Sequence, residues 1–81
     1  MTVTVLLFAA LREAVGTGEI EVAAEAGATA GDVLARLADE HAEIARYRPI
    51  VRLAVNRAYA PPETALADGD EVALITPTSG G

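Results

Sequence analysis

The segment TAGDVLARLADEH, residues 29–41, decides which class of fold this sequence can form. Thr29 followed three residues later by Asp32 predicts the start of a helix, as a capping box with Asp in place of the usual Glu. One stripe at helical spacing then follows, formed by the apolar Val33, Leu34, Leu37 and Ala38 together with His41. A single helix with one apolar stripe needs a sheet against which to bury it. We therefore expect one main helix packed across one face of a sheet.

Two strands are predicted before this helix. Residues 2–8, TVTVLLF, are rich in β-branched side chains, and residues 19–23, EIEVA, alternate between polar and apolar types. The segment between them, residues 9–15 followed by Gly16 and Gly18, is predicted to be turn-like. The two strands are therefore expected to pair as a hairpin.

Three further strands are predicted after the helix. They occupy residues 51–55, 58–60 and 71–76, with turns at Asn56-Arg57 and at Asp68-Gly69-Asp70. Tyr47 and Arg48 are expected in irregular chain, because the residue before a proline such as Pro49 disfavours helix. The order of elements predicts an α+β fold with a mixed sheet. We assign this domain to residues 1–76 and a C-terminal tail to residues 77–81.

The parity of the strands leaves apolar side chains on the face of the sheet away from the helix. Successive side chains of a strand point to opposite faces. If Val3, Val5, Leu7, Val51, Leu53, Val55, Val72 and Leu74 face the helix, then Leu6, Phe8, Ala54, Ala73 and Ile75 face away from it. A contiguous apolar patch on a small domain usually marks an interaction site. The alternative is that a bulge shifts the parity, or that loops cover these residues.

Composition argues against several classes of function. The 81 residues include no cysteine, which excludes disulfides, thiolate nucleophiles and cysteine metal sites. The formal net charge is −6, and the six cations are all arginines spread along the chain, so nucleic acid is not an expected partner. No apolar run approaches the ~20 residues of a membrane span. Because Met1 leads directly into a strand, we expect a cytoplasmic protein without membrane association.

No metal site is expected either. His41 is the single histidine, so it has no second histidine or cysteine with which to form a site. Asp68, Asp70 and Glu71 resemble a divalent-ion cluster in composition, but Asp-Gly-Asp before a strand is more often a tight turn.

The last residues of the sequence suggest a different kind of chemistry. Pro77 stiffens the base of the tail, and Gly80 and Gly81 carry no Cβ, so they fit narrow passages. Extended, residues 76–81 reach up to ~20 Å, which is enough to enter another protein's pocket. The group of interest is the α-carboxylate of Gly81, which a partner enzyme can activate. On its own, however, a Gly-Gly end is more simply interpreted as a frayed terminus.

Four blocks of residues make the prediction more specific. They are Phe8-Ala9-x-Leu11-Arg12-Glu13-x-x-Gly16, Ala54-Val55-Asn56, Leu66-x-Asp68-Gly69-Asp70-Glu71-Val72-Ala73 and Pro77-x-Ser79-Gly80-Gly81. Together they resemble the ubiquitin-like sulfur carriers, the family that includes the small subunits of molybdopterin synthase. The resemblance covers nearly the whole chain. It implies a ubiquitin-like β-grasp fold in which the first and last strands are parallel neighbours.

The resemblance also implies a role for the tail. A partner adenylating enzyme, related to the E1 enzymes, would use ATP to adenylate the Gly81 carboxylate, and a persulfide donor would convert it to a thiocarboxylate. The large subunit of molybdopterin synthase would bind the apolar sheet face and draw in the tail. Sulfur would then pass to the pyranopterin precursor in molybdenum cofactor biosynthesis. The chain would be a sulfur-donor subunit with no permanently bound cofactor, in a heterotetramer of two small and two large subunits.

Particular residues are implied as contacts of the large subunit. Phe8 and Arg12 match by motif, and Tyr59 and Ile75 fall where the family places bulky apolar residues. In the tail, Pro77, Ser79 and Gly80 match the family, whereas Thr78 stands at a commonly apolar position. Arg12 has an alternative as the partner of Glu13 in a surface ion pair.

Three other functions remain open at this point. The chain can be a sulfur carrier for thiamin thiazole or cysteine biosynthesis, or a protein modifier that joins Gly81 to an amine of a target. It can also be an interaction module whose Gly-Gly end is incidental.

Overall fold

The computed structural model describes residues 1–77, which form a five-stranded mixed sheet with helices packed on one face. The strands are β1 (Thr2–Leu7), β2 (Glu19–Ala23), β3 (Arg52–Val55), β4 (Ala58–Tyr59) and β5 (Glu71–Ile75). The helices are α1 (Ala9–Val15), α2 (Ala30–Glu40) and α3 (Ala42–Tyr47), followed by a 3₁₀ turn at Arg48–Ile50. The strand order is β2-β1-β5-β3-β4, and β1 and β5 are parallel while the other pairs are antiparallel. The predicted hairpin, mixed sheet and parallel first and last strands are all confirmed.

The predicted capping box starts α2 and is closed by two hydrogen bonds. The backbone N–H of Asp32 donates to Thr29 Oγ1 at 3.1 Å, and the backbone N–H of Thr29 donates to Asp32 Oδ2 at 2.9 Å. The two amides before Asp32 are satisfied by a later segment, because Ala30 N donates to Thr64 O and Gly31 N donates to Pro62 O. The free amides of the first turn are thus bonded, and the chain around residues 62–64 is held against α2.

Glycine at residue 31 allows this contact without displacement of Pro62. A Cβ added to Gly31 would lie 3.0 Å from both the Cβ and the carbonyl oxygen of Pro62. Such distances are tighter than ordinary van der Waals contact, so a larger residue would require a small shift of the segment around Pro62.

The core lies between the inner face of the sheet and the helices. Its most completely buried side chains are Leu7, Leu11, Leu37, Ile44, Leu74, Val3, Val5 and Val72. The predicted inward strand residues and the α2 stripe from Val33 to Ala38 all belong to this core or pack against it. His41 is the exception in the stripe, because it ends α2 with φ −130° and ψ 109° and precedes the first residue of α3. No helix within residues 1–77 has the length and apolarity that crossing a membrane requires.

Two local predictions are wrong. Residues 9–15, expected to be turn-like, form helix α1, which is anchored by the fully buried Leu11 and ends at Gly16 with φ 92°. Tyr47 and Arg48, expected in irregular chain, are the last residue of α3 and the first of the 3₁₀ turn. Pro49 is tolerated there because the first turn of a helix does not require its missing N–H.

The turn residues of the Asp68-Gly69-Asp70 segment fasten β5 to its neighbours. Asp68 Oδ1 accepts a hydrogen bond from Thr2 N at 2.7 Å, and Asp70 Oδ2 accepts one from Ala67 N at 2.8 Å. Asn56 donates through Nδ2 to Asp70 Oδ1 and accepts from Glu71 N, both at 3.0 Å. Its φ of 51° suits asparagine, which tolerates the left-handed region. The carboxylates are therefore engaged in turn formation, as predicted.

We expect Asp70 to make the stability of the fold depend on pH. The hydrogen bond from the Ala67 amide, followed by that from Asn56, lowers the pKa of Asp70 below its ordinary value of 3.8. A carboxylate with a lowered pKa in the folded state stabilises the fold above its unfolded pKa, and this contribution is lost as pH falls through the folded pKa. Denaturant unfolding at neutral pH and below pH 3.8 should therefore show a steeper acid loss for the wild type than for Asp70→Asn. A difference between the two proteins that does not change with pH would contradict this assignment.

Candidate partner-binding face

The face of the sheet away from the helices carries the predicted apolar residues in two adjacent rows. Strand pairing aligns Leu6 with Ala73, Ala73 with Ala54, and Ala54 with Tyr59, so one row crosses β1, β5, β3 and β4. In the second row, Ile75 pairs with Arg52. Leu7 pairs with Leu74, and β1 and β5 run in the same direction. The residues that follow them, Phe8 and Ile75, therefore lie side by side. The register is continuous, so no bulge shifts the predicted parity.

These residues surround a shallow depression of about 430 Å³, which we call the outer-face depression. Its lining residues are Leu6, Phe8, Ala54, Arg57, Tyr59, Glu71, Ala73 and Ile75. All five residues of the predicted apolar patch are among them. Phe8 and Tyr59 are 46% and 74% exposed, and Leu6, Ala73 and Ile75 are partly exposed, whereas Ala54 is buried. The described loops therefore leave most of the patch open. The structure thus brings Phe8, Tyr59 and Ile75 together on one accessible surface.

Charged groups lie at one end of the depression. Arg57 Nε is 3.8 Å from Glu71 Oε1, and the arginine side chain is almost fully exposed. An exposed pair of this kind contributes only about 0–1 kcal/mol. Sequence analysis did not identify either residue as part of the site. Glu71 could have been identified, because strand alternation puts it on the same face as Ala73 and Ile75. Arg57 could not, because it lies on a turn, where strand alternation does not indicate which face a side chain occupies.

Arg12 is placed away from the depression. It lies on the exposed side of α1, where its guanidinium packs over Gly18, so that a Cβ added to Gly18 would be 3.3 Å from Arg12 Nε. The alternative ion pair with Glu13 does not form, because the ion pairs within residues 1–77 are Arg36–Glu40 and Arg57–Glu71. A contact between Arg12 and a partner therefore stays a prediction and would need a partner that extends beyond the depression.

The root of the tail is next to the apolar face. Ile75 is the last residue of β5 and lines the depression, while Thr76 is half-buried and Pro77 is exposed. The predicted tail residues Thr78, Ser79, Gly80 and Gly81 lie outside the described residues. A protein that covers the outer face would therefore have the start of the tail at the edge of its interface.

The chemical groups of the outer-face depression are suited to contact with a largely apolar partner surface. The depression is lined mainly by apolar side chains, and its titratable members are Arg57, Glu71 and Tyr59. Arg57 and Glu71 lie within ion-pair distance of each other, and Tyr59 is largely exposed to solvent. Within residues 1–77 no group of three or more His, Asp or Glu is positioned to hold a metal ion.

The β-grasp sheet, with its apolar outer face and the tail root beside it, defines a ubiquitin-like protein. The chain belongs to the ThiS family, whose model matches residues 5–81. Its relatives include the molybdopterin synthase sulfur carrier subunit of Mycobacterium tuberculosis, which is 39% identical over 98% of this chain and 96% of the relative. The protein of the same name from Chlamydomonas reinhardtii is also 39% identical, over the full length of both chains.

Solved structures show the same fold. The chain superposes on SAMP1 of Haloferax volcanii, a small archaeal modifier protein, with a TM-score of 0.88 and 31% identity over all of both chains. A chain from the complex of subunits 1 and 2 of the molybdopterin-converting factor of Helicobacter pylori gives a TM-score of 0.75 at 23% identity over all of both chains. At that identity the second likeness concerns the fold alone.

Proposed function

We propose that this protein is the sulfur carrier subunit of a molybdopterin synthase. The observation that carries the proposal is its similarity, over nearly the whole length of both chains, to relatives of that name. The geometry is consistent with it, because an accessible apolar face lies beside the root of the tail. We place the protein in the cytoplasm, in a heterotetramer with the large subunit.

In the proposed cycle the Gly81 carboxylate is the group that carries sulfur. An adenylating enzyme attaches AMP from ATP to this carboxylate and releases pyrophosphate, which creates a good leaving group. The terminal sulfur of a persulfide donor attacks the carbonyl carbon and displaces AMP, and a thiol then reduces the acyl disulfide to a thiocarboxylate. Because this chain has no cysteine, both the persulfide and the reducing thiol belong to partners.

The large subunit uses the loaded tail in the second half of the cycle. It binds the outer-face depression through Phe8, Tyr59 and Ile75 and receives the tail, Pro77 to Gly81, in its own active site. There the thiocarboxylate sulfur forms a bond to a carbon of the pyranopterin precursor and displaces an oxygen group from that carbon. Water then cleaves the acyl–sulfur bond, which leaves the sulfur on the pterin and regenerates the Gly81 carboxylate. The net charge of −6 means that the partners provide the positive groups that stabilise phosphate and sulfur anions.

A second candidate function is protein modification. The likeness to SAMP1, named a small archaeal modifier protein, favours it. The activation step is the same, but the Gly81 carbonyl is then attacked by an amine of a target protein and forms an amide. The two functions differ in the acceptor, so the products of the activated protein distinguish them.

Intact mass spectrometry tests the proposal. After co-expression with the adenylating enzyme and the persulfide donor, we expect the mass of the protein to increase by the difference between one sulfur and one oxygen. Addition of the large subunit and the pyranopterin precursor should return the original mass and produce the sulfur-containing pterin. A mass that stays unchanged while the adenylating enzyme consumes ATP would refute the carrier function. Conjugates to other proteins in place of the sulfur product would support the modifier.

A further inference from the structure

Charge is segregated along this acidic chain. Residues 44–62 contain four of the six arginines and none of the twelve acidic residues. Sequence analysis treated the arginines as spread along the chain, but the fold places two of them, Arg48 and Arg52, on the wall of one groove. This part of the surface therefore differs in sign from the rest of the molecule.

The groove lies between the start of α2 and the edge of β3, and has a volume of about 620 Å³. We call it the basic groove; it is lined by Arg48 and Arg52 together with Leu34, Val51, Leu53 and Pro62, among others. β4 pairs with Ala54 and Val55, and the Ala60 amide donates to the carbonyl oxygen of Leu53 at 3.0 Å. The chain then continues through Pro61 and Pro62, which have no N–H to donate and also line the groove. A short segment of another chain can lie in the groove between these residues and the arginines.

The two arginines of the groove are available to an anionic partner. No acidic residue lines the groove, and within residues 1–77 the ion pairs involve Arg36 and Arg57 instead. Arg48 and Arg52 are exposed, and their side chains make no hydrogen bond to another described residue. A guanidinium presents a planar set of donors that matches a carboxylate in a bidentate geometry. The chemistry of the groove therefore fits an Asp- or Glu-containing segment with apolar side chains beside the carboxylates.

The basic groove is continuous with the outer-face depression. Tyr59 lines both, so the two depressions meet at this residue. Arg52 is also the pairing partner of Ile75, the last strand residue before the tail. A protein that covers the outer face and receives the tail is thus already next to the groove.

From this placement we infer that the basic groove binds an acidic segment of the large subunit, which extends past Tyr59 from the interface on the outer face. The inference rests on the proposed function, because it assigns a second contact to the same partner. It gives the groove a role in orienting the tail, since a contact at Arg52 lies directly beside the tail root.

Calorimetric titration with the purified large subunit tests the inference. The double variant Arg48→Ala, Arg52→Ala should bind about tenfold more weakly than the wild type at low salt, since two partly exposed ion pairs are lost. Its affinity should also depend less on salt, because screening acts on the charges that were removed. Both side chains are exposed, so circular dichroism should show an unchanged fold.

Arg46→Ala is the matched control. Arg46 belongs to the same basic stretch but lies in a separate depression with Ala14 and Tyr47, between α1 and α3. Its removal changes the net charge of the chain by the same amount as each groove substitution, and binding should be unaffected. Wild-type affinity and salt dependence in the double variant would overturn the inference and leave the proposed function standing. Failure of the wild type to bind the large subunit at any salt concentration would overturn both.

Discussion

Deletion of Gly81 should abolish sulfur loading and leave the fold intact. The deletion moves the terminal carboxylate by about 3.3 Å along an extended chain. Reacting groups that are misplaced by about 1 Å can lose ~100-fold in rate, so adenylation at a fixed depth in the partner enzyme should fall below detection. The core and all strand pairs lie within residues 1–77, so thermal unfolding should match the wild type. Intact mass after co-expression with the activating enzymes measures the loss.

Two further variants separate the position of the carboxylate from the composition of the tail. One alanine appended after Gly81 displaces the carboxylate in the opposite direction and should also prevent loading. Thr78→Ala keeps the tail at its full length and should still be loaded, since this position is commonly apolar among sulfur carriers. If the shortened protein is loaded as well as the wild type, adenylation does not depend on how far the tail carries its terminal carboxylate into the partner enzyme.

The parts of the fold that were predicted correctly depend on local signals. The capping box at Thr29 and Asp32 is made by residues three positions apart, so the start of α2 is evident without knowledge of the tertiary structure. The alternation of polar and apolar residues in Glu19–Ala23 likewise indicates a strand with one solvent-exposed face and one buried face. Parity placed Phe8 and Ile75 on the same face of the sheet, because a continuous register transfers strand alternation to the whole face. Their position side by side was implied by the resemblance to the sulfur carriers and not by a local signal.

The errors occur where tertiary packing decides the local conformation. Helix α1 has seven residues, which is too short to be stable alone, and it is held by the burial of Leu11. Good helix formers at residues 9–13 and Gly16 at the C-terminal cap were the available signals. The break at His41 has no proline or glycine to indicate it. It follows from the separate docking of α3, which places Ile44 in the core.

The candidate site was predictable only in part for the same reason. Parity identified the apolar residues, but Arg57 reaches the outer-face depression from a turn with φ 72°, a conformation that arginine seldom adopts. The basic groove depends on the short length of β4 and on the segment around Pro62 that crosses the start of α2. Neither feature has a periodicity in the sequence.

Phe8→Glu should weaken binding of the large subunit about a hundredfold, because an aromatic side chain of the apolar face would be replaced by a charge that must be desolvated on binding. The substitution should not unfold the domain. Phe8 is half-exposed and occupies the N-cap position of α1, where its side chain makes no capping hydrogen bond. A negative charge at the N-terminus of a helix interacts favourably with the helix dipole. Titration calorimetry with the large subunit measures the change in affinity.

Ala42→Glu is the control for this prediction. Ala42 is the exposed first residue of α3 and lines neither the outer-face depression nor the basic groove. Both variants place one added negative charge at an exposed position, so their comparison separates loss of the outer-face contact from the change in net charge. If the two lose affinity equally, the partner responds to net charge. If Phe8→Glu binds as tightly as the wild type, the outer face is not the docking surface. If only Phe8→Glu loses affinity, the partner covers the outer face, beside the root of the tail.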